Sequence, residues 1–203
     1  MADARPDHRS SSTRQVLFIQ GGGAGVHDEW DDRLVDSLRH GLGAGLEVRY
    51  PRMPGEDDPS CARWCAAIRA EVSALDDGAV VVGHSLGATL LVHALGEQPP
   101  QHALAAIVLI AAPFVGADGW PGDEFELPGD LGARLPDHAE IHVFHGLEDA
   151  TAPPSHADLY ARAVPQAQVH RLPGRDHQLN DDLSEVARTI NDVRWPGSGS
   201  AIS

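Results

Sequence analysis

Six short apolar runs alternate along the chain with stretches in which apolar residues recur every three or four positions. The runs occupy 16–20, 46–50, 79–83, 106–110, 141–144 and 168–172. Their length and their Val, Ile and Phe content predict strands. Runs apolar throughout, such as Ala79-Val80-Val81-Val82-Gly83, predict strands buried on both faces of a parallel sheet. The longer spacing predicts helices between them. One covers 30–40, with Trp30, Leu34, Val35 and Leu38 on one face and Gly41 as its C-cap. A second runs from an Asp58 N-cap and Pro59 at the first helical position to about residue 75. Further helices are expected at 86–95, at 155–164 after Pro153-Pro154, and on the stripe Leu183, Val186, Ala187, Ile190 and Val193. Strict alternation of this kind predicts right-handed crossovers. The expected fold is a doubly wound, mainly parallel α/β sheet of about six strands with helices on both faces. Ligands in such sheets sit at the carboxyl ends of the strands.

One connection, 113–138, is long and holds Trp120 and the acidic pair Asp123-Glu124. Long loops in compact domains tend to carry function. Residues 1–14 and 195–203 are polar and aperiodic and are expected to be disordered tails around a single domain at 15–194.

The whole chain has 203 residues and a net charge of −15, and all 15 of its cations are arginine. With no lysine, it cannot form a Schiff base, hold a Walker phosphate or use a Ser-Lys dyad. The acidic balance argues against nucleic acid and against anionic membrane surfaces as partners. The longest apolar run, 103–115, is too short to span a bilayer. The N-terminus lacks the apolar core of a signal peptide, so a cytoplasmic location is expected. Cys61 and Cys65 lie one helical turn apart and read as small core-side thiols; metal binding by this pair alone would need further ligands.

Chemistry concentrates at strand ends. Gly83-His84-Ser85-Leu86-Gly87 fits G-x-S-x-G, follows a predicted strand and opens a predicted helix. That strand–turn–helix setting is required of a nucleophile elbow, where flanking glycines relieve collisions around a strained serine. A serine hydroxyl needs a base, and the base needs an orienting acid. His177 follows the strand at 168–172 and Asp149 the strand at 141–144, so the candidate catalytic residues are Ser85, Asp149 and His177. His27 and His145, also near strand ends, rival His177; Glu148 and Asp118 rival Asp149. Gly21-Gly22-Gly23-Ala24-Gly25 fails the dinucleotide pattern, because Val26 stands where the last glycine belongs. It reads instead as an oxyanion loop, with Gly22 first and Gly23 second, its N–H acting beside that of Leu86. A flexible connection is the alternative.

Taken with the order Ser, Asp, His, these segments resemble the α/β-hydrolase superfamily. More narrowly the chain is similar to the small capless serine hydrolases around retinoblastoma-binding protein nine, on Tyr50-Pro51-Arg52-Met53-Pro54 and the 112–120 loop. The resemblance implies a minimal sheet, no full cap domain, and carboxylesterase-like activity on small esters or thioesters without cofactor or metal. Gln20 stands where the superfamily has His. Gly23, Met53, His84, Phe114 and Trp120 are the candidate substrate-binding residues, with Phe125 beside them and plain packing as the alternative for each apolar one. A small-molecule ester is the expected partner. The family name also leaves open a protein-interaction module that keeps the fold.

Overall fold

The computed structural model describes residues 14–195. Six strands form one fully parallel sheet: β1 (Arg14–Ile19), β2 (Leu46–Arg49), β3 (Ala79–His84), β4 (Leu104–Ile110), β5 (Glu140–Gly146) and β6 (Gln168–Leu172). Their order is β2-β1-β3-β4-β5-β6. Helices α1 (Asp31–Leu42), α2 (Cys61–Ser73), α3 (Leu86–Glu97), the single turn α4 (Leu131–Arg134), α5 (Ser155–Ala163) and α6 (Ser184–Asp192) fill the connections. Every residue of β3 and β4 is buried, as expected of runs apolar on both faces. The edge strands β2 and β6 are half-exposed. Among the described residues no helix is long and apolar enough to cross a membrane.

Side-chain alternation divides the core into two layers. Leu17 and Ile19 of β1 face one side with Trp64, Leu91 and Tyr160 of α2, α3 and α5. Val16 and Phe18 face the other with Leu34, Leu38, Val186 and Ile190 of α1 and α6. The chain leaves β1 for the edge at β2 and returns to the opposite flank at β3. The strand order therefore reverses between β1 and β3, which opens a crevice at their carboxyl ends.

Several boundaries differ from the sequence reading. The helix expected from Trp30 is preceded by a π-helical turn at Val26–Trp30, begins at Asp31 and leaves Trp30 half-exposed. It ends at Gly43 (φ 70°) rather than Gly41. Gly41 lies inside the helix because a β-carbon there would stand 2.5 Å from Ala187 Cβ of α6. The second helix is capped by Ser60, not Asp58, and the Ser60 carbonyl accepts the Trp64 N–H at 3.0 Å. Pro59 instead packs beside Gly22, where its Cγ would be 3.1 Å from an added β-carbon. The described residues include one more at each end than the expected domain: Arg14 opens β1, and its guanidinium lies 5.2 Å over the ring of the buried Trp195. The remainder of both expected tails lies outside the described residues.

The Gly41 contact makes a counter-intuitive prediction. Alanine for glycine within a helix normally gains about 1 kcal/mol. Here Gly41→Ala is expected to cost roughly 1–3 kcal/mol through overpacking, and Ala187→Gly in the same chain should restore most of it. Urea unfolding of the parent, the single variant and the double variant measures this. A more stable Gly41→Ala protein would show that α1 and α6 do not meet so closely.

Candidate active site

At the end of β3 the chain turns through Ser85, whose φ of 50° and ψ of −127° lie where side chains rarely go. The turn is closed too tightly for any residue but glycine on either side. A β-carbon on Gly83 would meet Ala88 Cα at 2.5 Å, and one on Gly87 would meet the Gln20 carbonyl at 2.0 Å. The strain at Ser85, of order 1–3 kcal/mol, is held by its N–H on the Ile110 carbonyl (2.9 Å) and its carbonyl under the Ala88 N–H (3.0 Å).

His177 reaches this serine from the loop after β6. Its Nε2 lies 3.0 Å from Ser85 Oγ, and its Nδ1 lies 2.8 Å from Asp149 Oδ2. A carboxylate only accepts, so Nδ1 carries the hydrogen and Nε2 is left to accept the serine proton. The two loops meet at Gly146, where a β-carbon would stand 2.2 Å from the Arg175 carbonyl. Leu147 and Glu148 donate their N–H groups to the Leu172 and Arg175 carbonyls. Beyond His177 the chain runs through three consecutive residues of positive φ, Leu179, Asn180 and Asp181. Asp176 Oδ1 accepts the Gln178 and Asn180 N–H groups there, while Arg175 grips Asp182 and Glu185.

The rival residues go elsewhere. Glu148 and Asp118 point to solvent, while Asp149 is buried. His27 pairs with Asp28 and stacks on Tyr50 at 4.1 Å. His145 is fully buried and turns its Nε2 to the Ala152 carbonyl (2.9 Å) and to Asp149 Oδ2 (3.3 Å). From the sequence His145 rivals His177 as a base; in the structure it is held by the Ala152 carbonyl, with its Nε2 beside Asp149. Burial alone would raise the Asp149 pKa. The His145 and His177 hydrogen bonds, the His177 charge and the Ala152 N–H hold it well below the usual carboxylate range instead.

The glycine loop after β1 packs against this turn. A β-carbon on Gly22 would touch Leu86 Cδ2 at 2.7 Å. Among the described residues no backbone acceptor takes the N–H of Gly22 or of Leu86, whereas Gly23 gives its own to the Glu56 carbonyl at 2.6 Å. Gln20 clamps the loop. Its Oε1 accepts the Met53 N–H at 3.0 Å and its Nε2 donates to Glu56 Oε2 at 2.5 Å. Glu56, which the sequence reading passed over, also takes the His27 N–H and Arg52.

The expected pocket residues divide. Met53 is sealed in the core at 1% exposure, and Phe114 packs edge-on against Tyr160, its N–H donated to His156 Nδ1 at 2.7 Å. Trp120, at 38% exposure, stays open to solvent over the His156 ring. Leu147, also exposed, was not foreseen. His84 is buried at 1% exposure and turns away from solvent to serve the scaffold. Its Nδ1 lies 2.9 Å from Asp31 Oδ2 and its Nε2 3.1 Å from the His177 carbonyl, so both nitrogens donate and the ring is an imidazolium. Asp31 Oδ2 also accepts the Gly21 N–H at 2.7 Å. This pair joins the ends of β1 and β3, the start of α1 and the His177 loop.

Burial opposes both charges of the pair and is the largest single effect on each, but the partner's charge and the hydrogen bonds together outweigh it: the Asp31 pKa is lowered and the His84 pKa raised. Asp31 therefore stabilises the fold above its ordinary value of 3.8, an effect lost as pH falls through its depressed value. His84 stabilises it below 6.5, an effect lost as pH rises through its raised value. Asp31→Asn, which strands a buried partner, is expected to cost roughly 3–5 kcal/mol. The deficit should be largest between pH 3.8 and 6.5 and shrink on both sides. Thermal unfolding of both proteins across pH tests it, and a deficit that does not vary with pH would rule out the ion pair.

A family model described as serine hydrolase matches residues 17–182, a span that includes the elbow and both loops that meet it. No curated protein matches the sequence. Among solved structures, the ydeN gene product from B. subtilis is similar at a TM-score of 0.73 and 21% identity, over 88% of this chain and 97% of that one. Est1E from Butyrivibrio proteoclasticus is similar at a TM-score of 0.67 and 15% identity, over 91% and 88%. The esterase domain from a Rhodothermus marinus protein is similar at 0.61 and 17%, over 90% and 87%. With a compact six-stranded parallel sheet covered on both faces and a family match over most of its length, the chain belongs to the serine hydrolase family and has the α/β-hydrolase fold.

Proposed function

We propose that the protein cleaves a small carboxylic ester or thioester through an acyl-enzyme on Ser85. The observation that carries this reading is the continuous chain from Ser85 Oγ through His177 to Asp149, at 3.0 and 2.8 Å. Ser85 Oγ attacks the carbonyl carbon while His177 Nε2 takes its proton. The carbonyl oxygen becomes an oxyanion and is received by the Gly22 and Leu86 N–H groups beside the elbow. His177 then gives the proton to the leaving alcohol or thiol. Water attacks the acyl-serine by the same route in reverse. Asp149 keeps the imidazole in the tautomer that leaves Nε2 free to accept. No step needs a metal, and the family membership supports a small molecule as the substrate. Trp120 and Leu147, exposed on the loops that follow β4 and β5, are the apolar surfaces for the acyl or alcohol group.

Ser85→Ala should keep the fold and lose on the order of 10⁶ in kcat toward an activated ester, as for other triad nucleophiles. Retention of most activity in a folded variant would sink the mechanism.

The acid is tested by its neighbour. Asp149→Asn preserves shape but lets the wrong His177 tautomer dominate, with a loss approaching roughly 10⁴ in kcat. Glu148→Gln should stay within about tenfold, or 1.4 kcal/mol of barrier. Both are measured on one activated ester, and a crippled Glu148 variant beside an active Asp149 variant would reverse the assignment.

A further inference from the structure

Outside this site, one cluster of metal-binding side chains lies between α2 and α3. Cys61 Sγ and Cys65 Sγ stand 3.7 Å apart on consecutive turns of α2. His93 of α3 brings Nδ1 to 3.9 Å from Cys61 Sγ and 3.8 Å from Cys65 Sγ. These are the three residues among those described whose ligand atoms converge in this way. Metal–sulfur bonds of about 2.3 Å and metal–nitrogen bonds of about 2.0–2.1 Å in a tetrahedron put two sulfurs roughly 3.8 Å apart and sulfur and nitrogen roughly 3.6 Å apart. The spacings found here match the first and need a shift of a few tenths of an ångström for the second.

We infer that Cys61, Cys65 and His93 form a site for a thiophilic divalent cation such as zinc. Glu97 lies beside the cluster but outside the converging set: its Oε1 is 3.6 Å from His93 Nδ1 while its other oxygen holds Arg69 at 2.8 Å. Both cysteines are free thiols and buried, whereas the His93 side chain is 13% exposed and gives the ion a route in. Soft thiolates with one imidazole select zinc-like ions over magnesium or calcium. His93 lies eight residues beyond Ser85, about 12 Å along α3. The ion therefore takes no part in ester cleavage. It ties α2 to the helix that the elbow opens, so its loss is felt as stability.

The test is titration of the full-length, metal-free protein with zinc in competition with a chromophoric chelator. Cobalt is then used as a spectroscopic probe. One ion per chain is expected, with a thiolate-to-cobalt charge-transfer band and a higher melting temperature. Losing a ligand should weaken binding by at least the roughly 10–100-fold that follows loss of an outer partner. Cys61→Ala, Cys65→Ala and the partly exposed His93→Gln should each show this. Ester hydrolysis and circular dichroism confirm that each variant is folded, and His93→Gln serves if the buried substitutions do not fold. Absence of stoichiometric binding, absence of the thiolate band, or equal affinity in a folded His93→Gln protein would each overturn the proposal.

Discussion

Where Gly87 passes the end of β1, the backbone of the elbow and the Gln20 carbonyl are so close that one methyl group would have to overlap that oxygen, at 2.0 Å. Most of what surrounds the candidate site depends on this approach. It fixes the start of α3 against the end of β1 at the point where the strand order reverses. It lays Gly22 against Leu86, so that two N–H groups without backbone acceptors among the described residues lie on neighbouring segments. It also holds Ser85 in its strained conformation, because relaxing φ at Ser85 would swing α3 into β1. Close packing transmits that constraint, since a core without slack offers no cheaper place for the strain to go.

A layer of buried polar groups lies beneath the serine and turns packing into orientation. The Asp31–His84 pair spans four segments, and its last hydrogen bond ends on the carbonyl of His177 itself. On the other side of His177, His145 and the Thr151 and Ala152 N–H groups saturate Asp149. Each of these groups would be costly if left alone in the interior. Joined, they allow His177 few alternative positions. An acidic chain of net charge −15 makes this more necessary, since its own field disfavours a buried carboxylate that lacks local donors.

The sheet and its helices were legible in the sequence because their signals are local. Six runs predict six strands, and the fully apolar ones proved to be the fully buried ones. Ends were less legible. Asp58-Pro59 has the chemistry of a helix start, yet Pro59 is used against Gly22 and Ser60 becomes the cap. Gly41 has the chemistry of a helix stop, yet it serves a contact with a helix nearly 150 residues away in the chain. Ser85, His177 and Asp149, the candidates offered by motif and strand-end position, are brought within hydrogen-bond reach of one another. His84, Asp31 and Glu56 could not be given their places, because most of their partners are distant in sequence; the partners of His145 are near in sequence, but only the fold of the turn brings them to its ring.

That Asp149 rather than Glu148 meets His177 shows how a backbone contact decides which side chain turns inward. Gly146 lies against the Arg175 and Asp176 carbonyls too closely for any side chain. That contact sets the register in which Leu147 and Glu148 donate to the β6 loop, one N–H after the other. With both N–H groups committed, the Glu148 side chain faces outward and the next residue turns inward. Asp149 then accepts Thr151 and Ala152 N–H groups on one oxygen and presents the other to His177. A glutamate in that place would carry one more methylene than this pocket of backbone donors spans. It would also have one more torsion to freeze, at some cost in conformational entropy. The carboxylate that reaches His177 is thus selected ahead of its own side chain, by a glycine that lets two loops touch.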